Sequence, residues 1–374
     1  MLAWARNDAG MTLSMAAERS GYTLHQLEAW ESGALVPTLK EAERLAGMYH
    51  RPYSVLFMEE APVSDALSKE YRRLPGVKPG KESPELRFAL RDMIQRRCVA
   101  MNLLAEMDNE PTSFTLHASI SNDTAIVARE LRNLLGISSA TQKGWGNELQ
   151  AWGAWSDAVE GLGVLVFQFS NVRIDEARGL SLLRFPLPVI GVNAKEVPLS
   201  KPFTLVHELV HLMLANAHEE VSAIDENRSS SDWNELERFV DEVAGQVLVP
   251  RDELLSEHLV FTHKGDWGRE DINWLARRYT VTPTAMATRL LKYGKCRPAA
   301  YSRWKEDRAN WQDNPLPKSK FGSATQSEKV LHRVGKSFAR IVVEALALER
   351  ITSTDAANYL NVNFEQVQTL HRHL

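Results

Sequence analysis

The stretch Phe203-Thr-Leu-Val-His-Glu-Leu-Val-His-Leu-Met-Leu214 decides the fold of this 374-residue chain, because it sets three ionisable side chains in an apolar helix. On a helix, His207 and His211 lie one turn apart on one face, so both imidazoles can bind one Zn²⁺ at about 2.0–2.1 Å. Glu208 is rotated by about 100° from His207. That position favours a proton acceptor for metal-bound water over a third ligand.

A later segment should supply the third ligand, since catalytic zinc uses three protein ligands and a water. Residues 234–250 predict a helix, because apolar residues recur at helical spacing and Pro250 ends the run. We predict Glu237 as the third ligand. Asp241, one turn later, is predicted to accept the free ring N–H of a ligating histidine. Glu235 is a rival ligand, and a solvated carboxylate face is the plain alternative.

Several motifs together resemble the ImmA/IrrE family of metallopeptidases. They are Arg178-Gly-Leu-Ser-Leu182, Pro188-Val-Ile-Gly-Val-Asn193, Phe203–Leu212 and Glu237-x-x-x-Asp-x-x-Ala-x-x-Val-Leu-Val-Pro250. The resemblance covers about residues 150–295. Family members often carry Asn where this chain has Asp241 and Arg where it has Lys201.

The resemblance implies a gluzincin-like domain that binds Zn²⁺ through His207, His211 and Glu237. It also implies a protein substrate, namely a partner transcriptional repressor or antitoxin that the enzyme cleaves or inactivates. The setting would be a stress response, a mobile element or a toxin–antitoxin pair. An N-terminal helix-turn-helix domain is common in the family.

The expected fold is mainly α with a small β-sheet, an α+β arrangement of several domains. Strands are predicted at 164–168, 179–183 and 189–192 by β-branched residues and alternation. The domains are predicted as a helix-turn-helix domain at 1–62, a linker and long helix at 63–120, the metallopeptidase domain at 121–300, a linker at 301–326, and a C-terminal helical region at 327–374.

Composition indicates a cytoplasmic chain. The apolar fraction of 44% is ordinary for a globular protein. Cys98 and Cys296 form neither a disulfide framework nor metal-ligand spacing, which suits a reducing compartment. The start has no apolar region of signal-peptide length, and no apolar run reaches the length of a membrane span.

The spacing of residues in 12–33 resembles that of a helix-turn-helix of the Cro/CI (XRE) type. In that type the second helix enters the major groove, which makes Thr23, His25 and Gln26 candidate base-reading residues. Residues 1–50, however, hold four basic and six acidic side chains. DNA affinity rests largely on cationic contacts to phosphate. The alternative is a protein-interaction or dimerisation module, and a dimerisation module would make the chain a homodimer.

The chain carries a net charge of −4, but its basic residues are concentrated near the C-terminal end. Residues 277–308 hold nine Lys or Arg against two Asp or Glu, with aromatic side chains between them. Arg297, Arg303 and Arg308 are therefore candidate DNA-backbone contacts. A solvated helical surface is the alternative.

The remaining segments carry simpler expectations. Residues 83–106 predict a long helix with a solvated arginine face, and residues 139–145 predict a loop. Val189–Asn193, just before the metal helix, would offer a sheet edge for an extended substrate or be an ordinary structural strand. His258, His263 and Tyr279 are weak candidates for stabilising an oxyanion.

Two functions besides turnover stay open. In the first, the chain is a regulator that binds a metal without catalysing a reaction. In the second, it is a DNA-binding regulator or an antitoxin whose metal site is non-catalytic.

Overall fold

The structure, a computed structural model, describes residues 1–62, 82–216, 230–310 and 325–371. It is mainly helical with one small mixed sheet, which confirms the predicted fold class. Contacts divide the chain into two compact units, Met1–Gln95 with Ser170–Ala177, and Arg96–Phe169 with Arg178–Leu374. Residues 63–81, the first part of the predicted linker and long helix at 63–120, lie outside the described residues.

The N-terminal unit is a small group of helices with its own core. Its elements are α1 (Leu2–Asp8), α2 (Leu13–Ser20), α3 (Leu24–Ser32), α4 (Leu39–Met48), a 3₁₀ turn at Tyr53–Phe57 and the first part of α5 (Pro84–Glu106). Thr12, Thr23 and Thr38 cap three of these helices with their hydroxyl groups, which satisfies N–H groups that have no partner within the helix. Leu27, Trp30, Leu45 and Tyr49 fill the core.

The second unit contains the rest of α5, fourteen further helices among the described residues, and the sheet. The helices are α6 (Thr124–Leu134), α7 (Ser139–Lys143), α8 (Glu148–Glu160), α9 (Lys201–Asn216), α10 (Ser230–Leu248), α11 (Arg251–Leu255), α12 (His258–Thr262), α13 (Arg269–Arg278), α14 (Pro283–Lys292), α15 (Pro298–Asn310), α16 (Gln326–Val334), α17 (Lys336–Ala347), α18 (Ser353–Leu360) and α19 (Phe364–His371). The predicted linker at 301–326 begins inside α15, where Trp304 is buried in the core.

The sheet has three strands in the order β1-β3-β2, with β1 at Leu165–Phe169, β2 at Gly179–Leu182 and β3 at Val189–Asn193. β3 pairs with β1 in parallel and with β2 in antiparallel fashion. The prediction that Val189–Asn193 provides a sheet edge is therefore wrong, because β3 is the central strand. Its nearly unbroken apolar sequence is typical of a strand with neighbours on both sides.

The main core lies between the sheet and helices α6, α8, α9 and α10. α9 packs against α8, α10, β2 and β3, and α10 packs in turn against α6. Twelve of the sixteen residues of α9 are buried. The helix that carries His207 and His211 is thus held on several sides, which fixes the orientation of its side chains.

One short helix replaces a predicted loop. Residues 139–143 form α7, capped by the hydroxyl of Ser138, where a loop at 139–145 is the expectation. Gln142 is fully buried and donates to the carbonyl oxygens of Leu248 and Tyr279 at 3.0 and 2.7 Å. Those bonds favour the helix, because the ends of α10 and α13 leave carbonyl groups that need donors.

The arginines of α5 do not form the solvated face that the sequence indicates. In the N-terminal unit, Arg91 pairs with Asp8 at 2.6 Å, and burial lowers its pKa to about 10. In the second unit, Arg97 donates to the carbonyl oxygens of Leu187 and Arg184 at 2.7 and 3.1 Å. Long side chains with several donors can bridge a helix to neighbouring backbone, and a polar sequence pattern hides that role.

The C-terminal helices pack against the first strand of the sheet. Both α16 and α17 contact β1. The Gln168 side chain donates to the carbonyl oxygen of His332 at 2.9 Å, and the Phe167 and Phe338 rings meet edge to face with centroids 5.6 Å apart. Within the described ranges, no helix is long and apolar enough to cross a membrane.

Candidate metal centre

Helix α9 brings two histidines and a glutamate to the middle of the core. Pro202 stands in its first turn, where a missing backbone N–H costs nothing. His211 is completely buried and Glu208 is 3% exposed. The His207 side chain keeps 15% of its surface open. The helix thus exposes part of the His207 side chain to solvent, while His211 and Glu208 are enclosed.

Helix α10 brings the carboxylates that face α9. Its buried side is made by Val240, Val243, Ala244 and Val247, at the spacing of one helical face. The Glu237 side chain is 22% exposed and the Asp241 side chain 58% exposed. Because the two lie four residues apart, both are presented toward the same stretch of α9.

Side-chain donor atoms of three residues converge between these helices. The Nε2 atoms of His207 and His211 are 3.0 Å apart. Glu237 places one carboxylate oxygen 3.5 Å from Nε2 of His207 and the other 3.7 Å from Nε2 of His211. These residues can offer ligand atoms that all lie within 4.8 Å of one another.

The arrangement fits a zinc ion. Two bonds of about 2.0–2.1 Å at a tetrahedral angle place their donor atoms about 3.4 Å apart. The three observed separations, 3.0, 3.5 and 3.7 Å, lie on both sides of that value. Two imidazole nitrogens and a carboxylate oxygen are also the donor set of many catalytic zinc sites.

Asp241 lies where an orienting carboxylate is needed. Its Oδ1 is 3.0 Å from Nδ1 of His207. A carboxylate accepts, so Nδ1 carries the proton and Nε2 of the same ring is left with a lone pair toward Glu237 and His211. The contact that the sequence-based prediction requires is present.

The Glu208 side chain extends from α9 toward β2. Ser181, fully buried on β2, donates its hydroxyl to Oε2 of Glu208 at 2.9 Å. One turn earlier on α9, the hydroxyl of Thr204 donates to Oε1 of Glu196 at 3.0 Å. Glu196 is 5% exposed, and burial raises the pKa of its carboxyl group.

A glycine lies at the closest approach of β2 to α9. A Cβ atom on Gly179 would stand 2.6 Å from Cγ2 of Thr204 and 2.7 Å from Oε1 of Glu208. Those distances are shorter than real Cβ contacts allow. The sequence motifs do not single out the roles of Gly179, Ser181, Thr204 or Glu196. A lone glycine inside a strand pattern, which often marks close approach, is the one available signal.

Residues 159–291 match Peptidase_M78, the IrrE N-terminal-like domain. This M78-like segment, just over a third of the chain, contains β1 to β3, α9 and α10 with all the residues of the metal centre. The match supports the peptidase resemblance of this part of the chain. No curated protein matches the chain.

Other predicted residues of the M78-like segment lie apart from the cluster or contact different partners. Glu235 is exposed and is not part of the donor group. Tyr279 is buried and donates its hydroxyl to Glu257 at 3.2 Å, while burial raises its pKa. The His263 ring stacks on Trp267 with centroids 3.7 Å apart, and His258 is exposed. None of these contacts supports an oxyanion role.

The candidate DNA contacts have local partners. Thr23 and Gln26 bond to each other in a capping box at the start of α3, and His25 is exposed. Arg297 and Arg303 both pair with Asp266, at 2.8 and 2.5 Å. The side chain of Arg308 lies outside the described residues. The proposed reading and phosphate-binding roles stay predictions.

Lys201 is the first residue of α9. It is half-buried and donates to Oε1 of Gln168 at 2.9 Å. Burial lowers the pKa of its ammonium group. The side chain thus ties the start of the metal helix to β1.

Proposed function

We propose that this chain is a zinc-dependent endopeptidase that acts on a protein partner. One observation carries the proposal: His207, His211 and Glu237 converge at donor distances suited to zinc, with the buried carboxylate of Glu208 on the same helix. The match of residues 159–291 to a peptidase family supports the same reaction class.

The residues of the site would have separate roles in metal binding, ring orientation and proton transfer. His207, His211 and Glu237 would hold the ion, and Asp241 would fix the ring of His207 through the contact to Nδ1. Bound zinc supplies a polarised water with its pKa lowered toward about 7. Glu208 would accept the proton of that water as it attacks the scissile carbonyl. The same carboxyl group would then protonate the leaving amine, so that the base is restored.

The substrate is proposed to be a transcriptional repressor or antitoxin, in a cytoplasmic stress, mobile-element or toxin–antitoxin setting. Support comes from the family resemblance and from the match of residues 159–291 to the IrrE N-terminal-like domain. The central position of β3 rules it out as a platform for an extended substrate. β2 is the outer strand beside Glu208, and its four residues are buried. A substrate strand would pair there only after covering groups move.

Proteome-wide mapping of protein N-termini tests this proposal even while the substrate is unidentified. Cells that express the wild-type chain should contain new N-termini that are missing in cells with Glu208→Gln, because the variant keeps the metal ligands and loses the base. Zinc content should be equal in the two proteins. Identical sets of N-termini in both would remove the peptidase assignment.

A second function, that of a DNA-binding regulator with a non-catalytic metal site, draws on one feature. Helices α2 and α3 are joined through Gly21 in a left-handed conformation, as a tight helix-turn-helix requires. This regulator would retain its full effect on transcription in the Glu208→Gln variant. The paired state of Arg297 and Arg303 weighs against it.

A further inference from the structure

We propose that Ser181 is a positioning residue that holds the catalytic carboxylate of Glu208, and that Gly179 is the glycine that lets it do so. The inference rests on the proposed function, since it assigns roles around the proton acceptor of that reaction. It concerns side chains of β2, which the metal-binding motif on α9 does not include.

Strand geometry presents both residues to the same side. Gly179 and Ser181 are two positions apart in β2, so they face one side of the sheet. They pair with Val192 and Ile190 of β3, which fixes their register against the central strand. The face they share packs on α9. Glu208 therefore packs against a β-strand whose position is fixed by the sheet.

Gly179 sets how closely that surface approaches. The space of a Cβ atom at this position is filled by Thr204 on one side and by Glu208 on the other. Thr204 is itself fixed by its 3.0 Å hydrogen bond to Glu196. A larger residue at 179 would force Thr204, Glu208 or β2 itself to shift. A shift of Glu208 or of β2 would disturb the hydrogen bond between Ser181 and Glu208.

The hydrogen bond has a defined direction. An ionised carboxylate only accepts, so Ser181 is the donor to Oε2. Hydrogen bonds to a charged acceptor are stronger than neutral ones, and a buried setting strengthens them further. A carboxylate held at one oxygen cannot turn freely about its last side-chain bond. A general base needs such a fixed orientation, because proton transfer requires hydrogen-bond reach.

A purely structural role for Ser181 makes a different prediction. In that case loss of the hydroxyl would reduce thermal stability, and its effect would not depend on the chemistry at position 208. A positioning role makes the effect of Ser181 conditional on Glu208. A double-mutant cycle separates the two, since it measures the coupling of the pair.

The test measures binding of acetohydroxamic acid to the zinc-loaded full-length chain by calorimetry. This probe chelates zinc through two oxygens and gives its hydroxyl proton to a nearby base, so its affinity reports on a correctly placed Glu208. The proteins are wild type, Ser181→Ala, Glu208→Gln and the double variant. Ser156→Ala, which removes another buried serine hydroxyl of the same unit, is the matched control. Zinc content and the melting temperature are measured for each.

Ser181→Ala should weaken the probe about tenfold, the loss expected for a hydrogen bond to a charged group, with zinc content unchanged. In the Glu208→Gln background the same change should cost less than about twofold, because the base is already absent. Ser156→Ala should bind as wild type. Ser181→Thr keeps the donor and should stay within about twofold of wild type, which guards against a folding defect in the alanine variant.

The remaining outcomes separate the two hypotheses. If Ser181→Ala binds the probe as wild type while Glu208→Gln is weak, the positioning role fails and the peptidase proposal stands. Equal losses from Ser181→Ala in both backgrounds would make Ser181 a structural residue. A chain that holds no zinc, or a Glu208→Gln variant that binds the probe normally, would overturn the proposed function and this inference with it.

Discussion

The metal centre and the basic stretch at 277–308 are both predicted from side-chain chemistry, yet the structure arranges them differently. In the metal centre, three donor atoms from two helices converge within 4.8 Å. In the basic stretch, Arg278 pairs with Glu257, Arg289 with Glu242, and both Arg297 and Arg303 with Asp266. Spacing on one helix determines where side chains lie relative to each other. A count of charges does not show which carboxylates lie nearby.

The largest expected effect is the loss of zinc from His211→Ala. This ligand is completely buried, so no exposed group of the site can replace it easily. Elemental analysis of the purified protein should fall from about one zinc per chain to almost none. His258→Ala, a change at an exposed histidine, should leave the zinc content unaltered. Undiminished zinc in His211→Ala would place the metal elsewhere.

The next effect separates the two candidate third ligands. Glu237→Gln should weaken zinc affinity by more than the roughly 10–100-fold typical of outer-shell changes, because its carboxylate lies 3.5 and 3.7 Å from the two ring nitrogens. Glu235→Gln alters an exposed side chain outside the cluster and should bind zinc normally. Competition with a chromophoric chelator measures both affinities. The opposite order would give the ligand role to Glu235.

Asp241 should have a smaller effect that depends on the replacement. Asp241→Ala removes the acceptor 3.0 Å from Nδ1 of His207 and should cost about 10–100-fold in zinc affinity. Asp241→Asn keeps a carbonyl acceptor for the Nδ1–H of His207 and should lose much less zinc affinity. Equal losses in the two variants would show that charge, and not ring orientation, is the contribution of Asp241.

The buried carboxyl group of Glu160, which belongs to none of the predicted sites, gives a pH-dependent comparison. Burial raises the pKa of Glu160 to about 8 from the ordinary value of 4.5, although the backbone N–H groups of Lys336 and Ser337 donate to it. Between those pH values the folded state holds a proton that the unfolded state has lost. The associated stability is present at low pH and is lost as pH rises through about 8.

The melting temperature should therefore fall between pH 6 and pH 9, and Glu160→Gln should reduce that fall. The amide keeps an acceptor for the two N–H groups and cannot ionise. Asp157→Asn, which changes the neighbouring carboxylate that pairs with Lys336, serves as the control for a general charge effect. A fall of equal size in wild type and Glu160→Gln would exclude Glu160 as its source.

The smallest expected effect is on nucleic acid. Three phosphate contacts would flatten the slope of log K against log salt by about 2.7 when lost. Because Asp266 holds Arg297 and Arg303, replacing Arg297, Arg303 and Arg308 by Ala should change the slope by less. Asp266→Ala removes the carboxylate that pairs with both arginines and should steepen the salt dependence of DNA binding. Gln26→Ala should alter sequence preference alone. A gel-shift series would contradict this expectation if the slope of the triple variant flattened by the full value of about 2.7.

The grouping of the candidate ligands could be predicted, because two histidines four residues apart lie on the same face of a helix. Glu237 and Asp241 follow from the same argument on a second helix. Ser181 and Gly179 could not be found this way, since they reach Glu208 across a sheet whose strand order is set by tertiary pairing. The central place of β3 escapes prediction for that reason. The paired arginines of α5 escape it because a polar pattern on a helix does not distinguish water from buried partners.

The packing of α16 and α17 on β1 bears on how the protein can be produced. The segment that matches the peptidase family ends at residue 291, so an expression fragment cut to that match would lack both helices. Phe167, 1% exposed in the full chain, would lose the ring of Phe338 and face solvent. An apolar outer strand without its cover is a site for aggregation. An expression fragment should therefore include α16 and α17, which lie beyond the end of the family match.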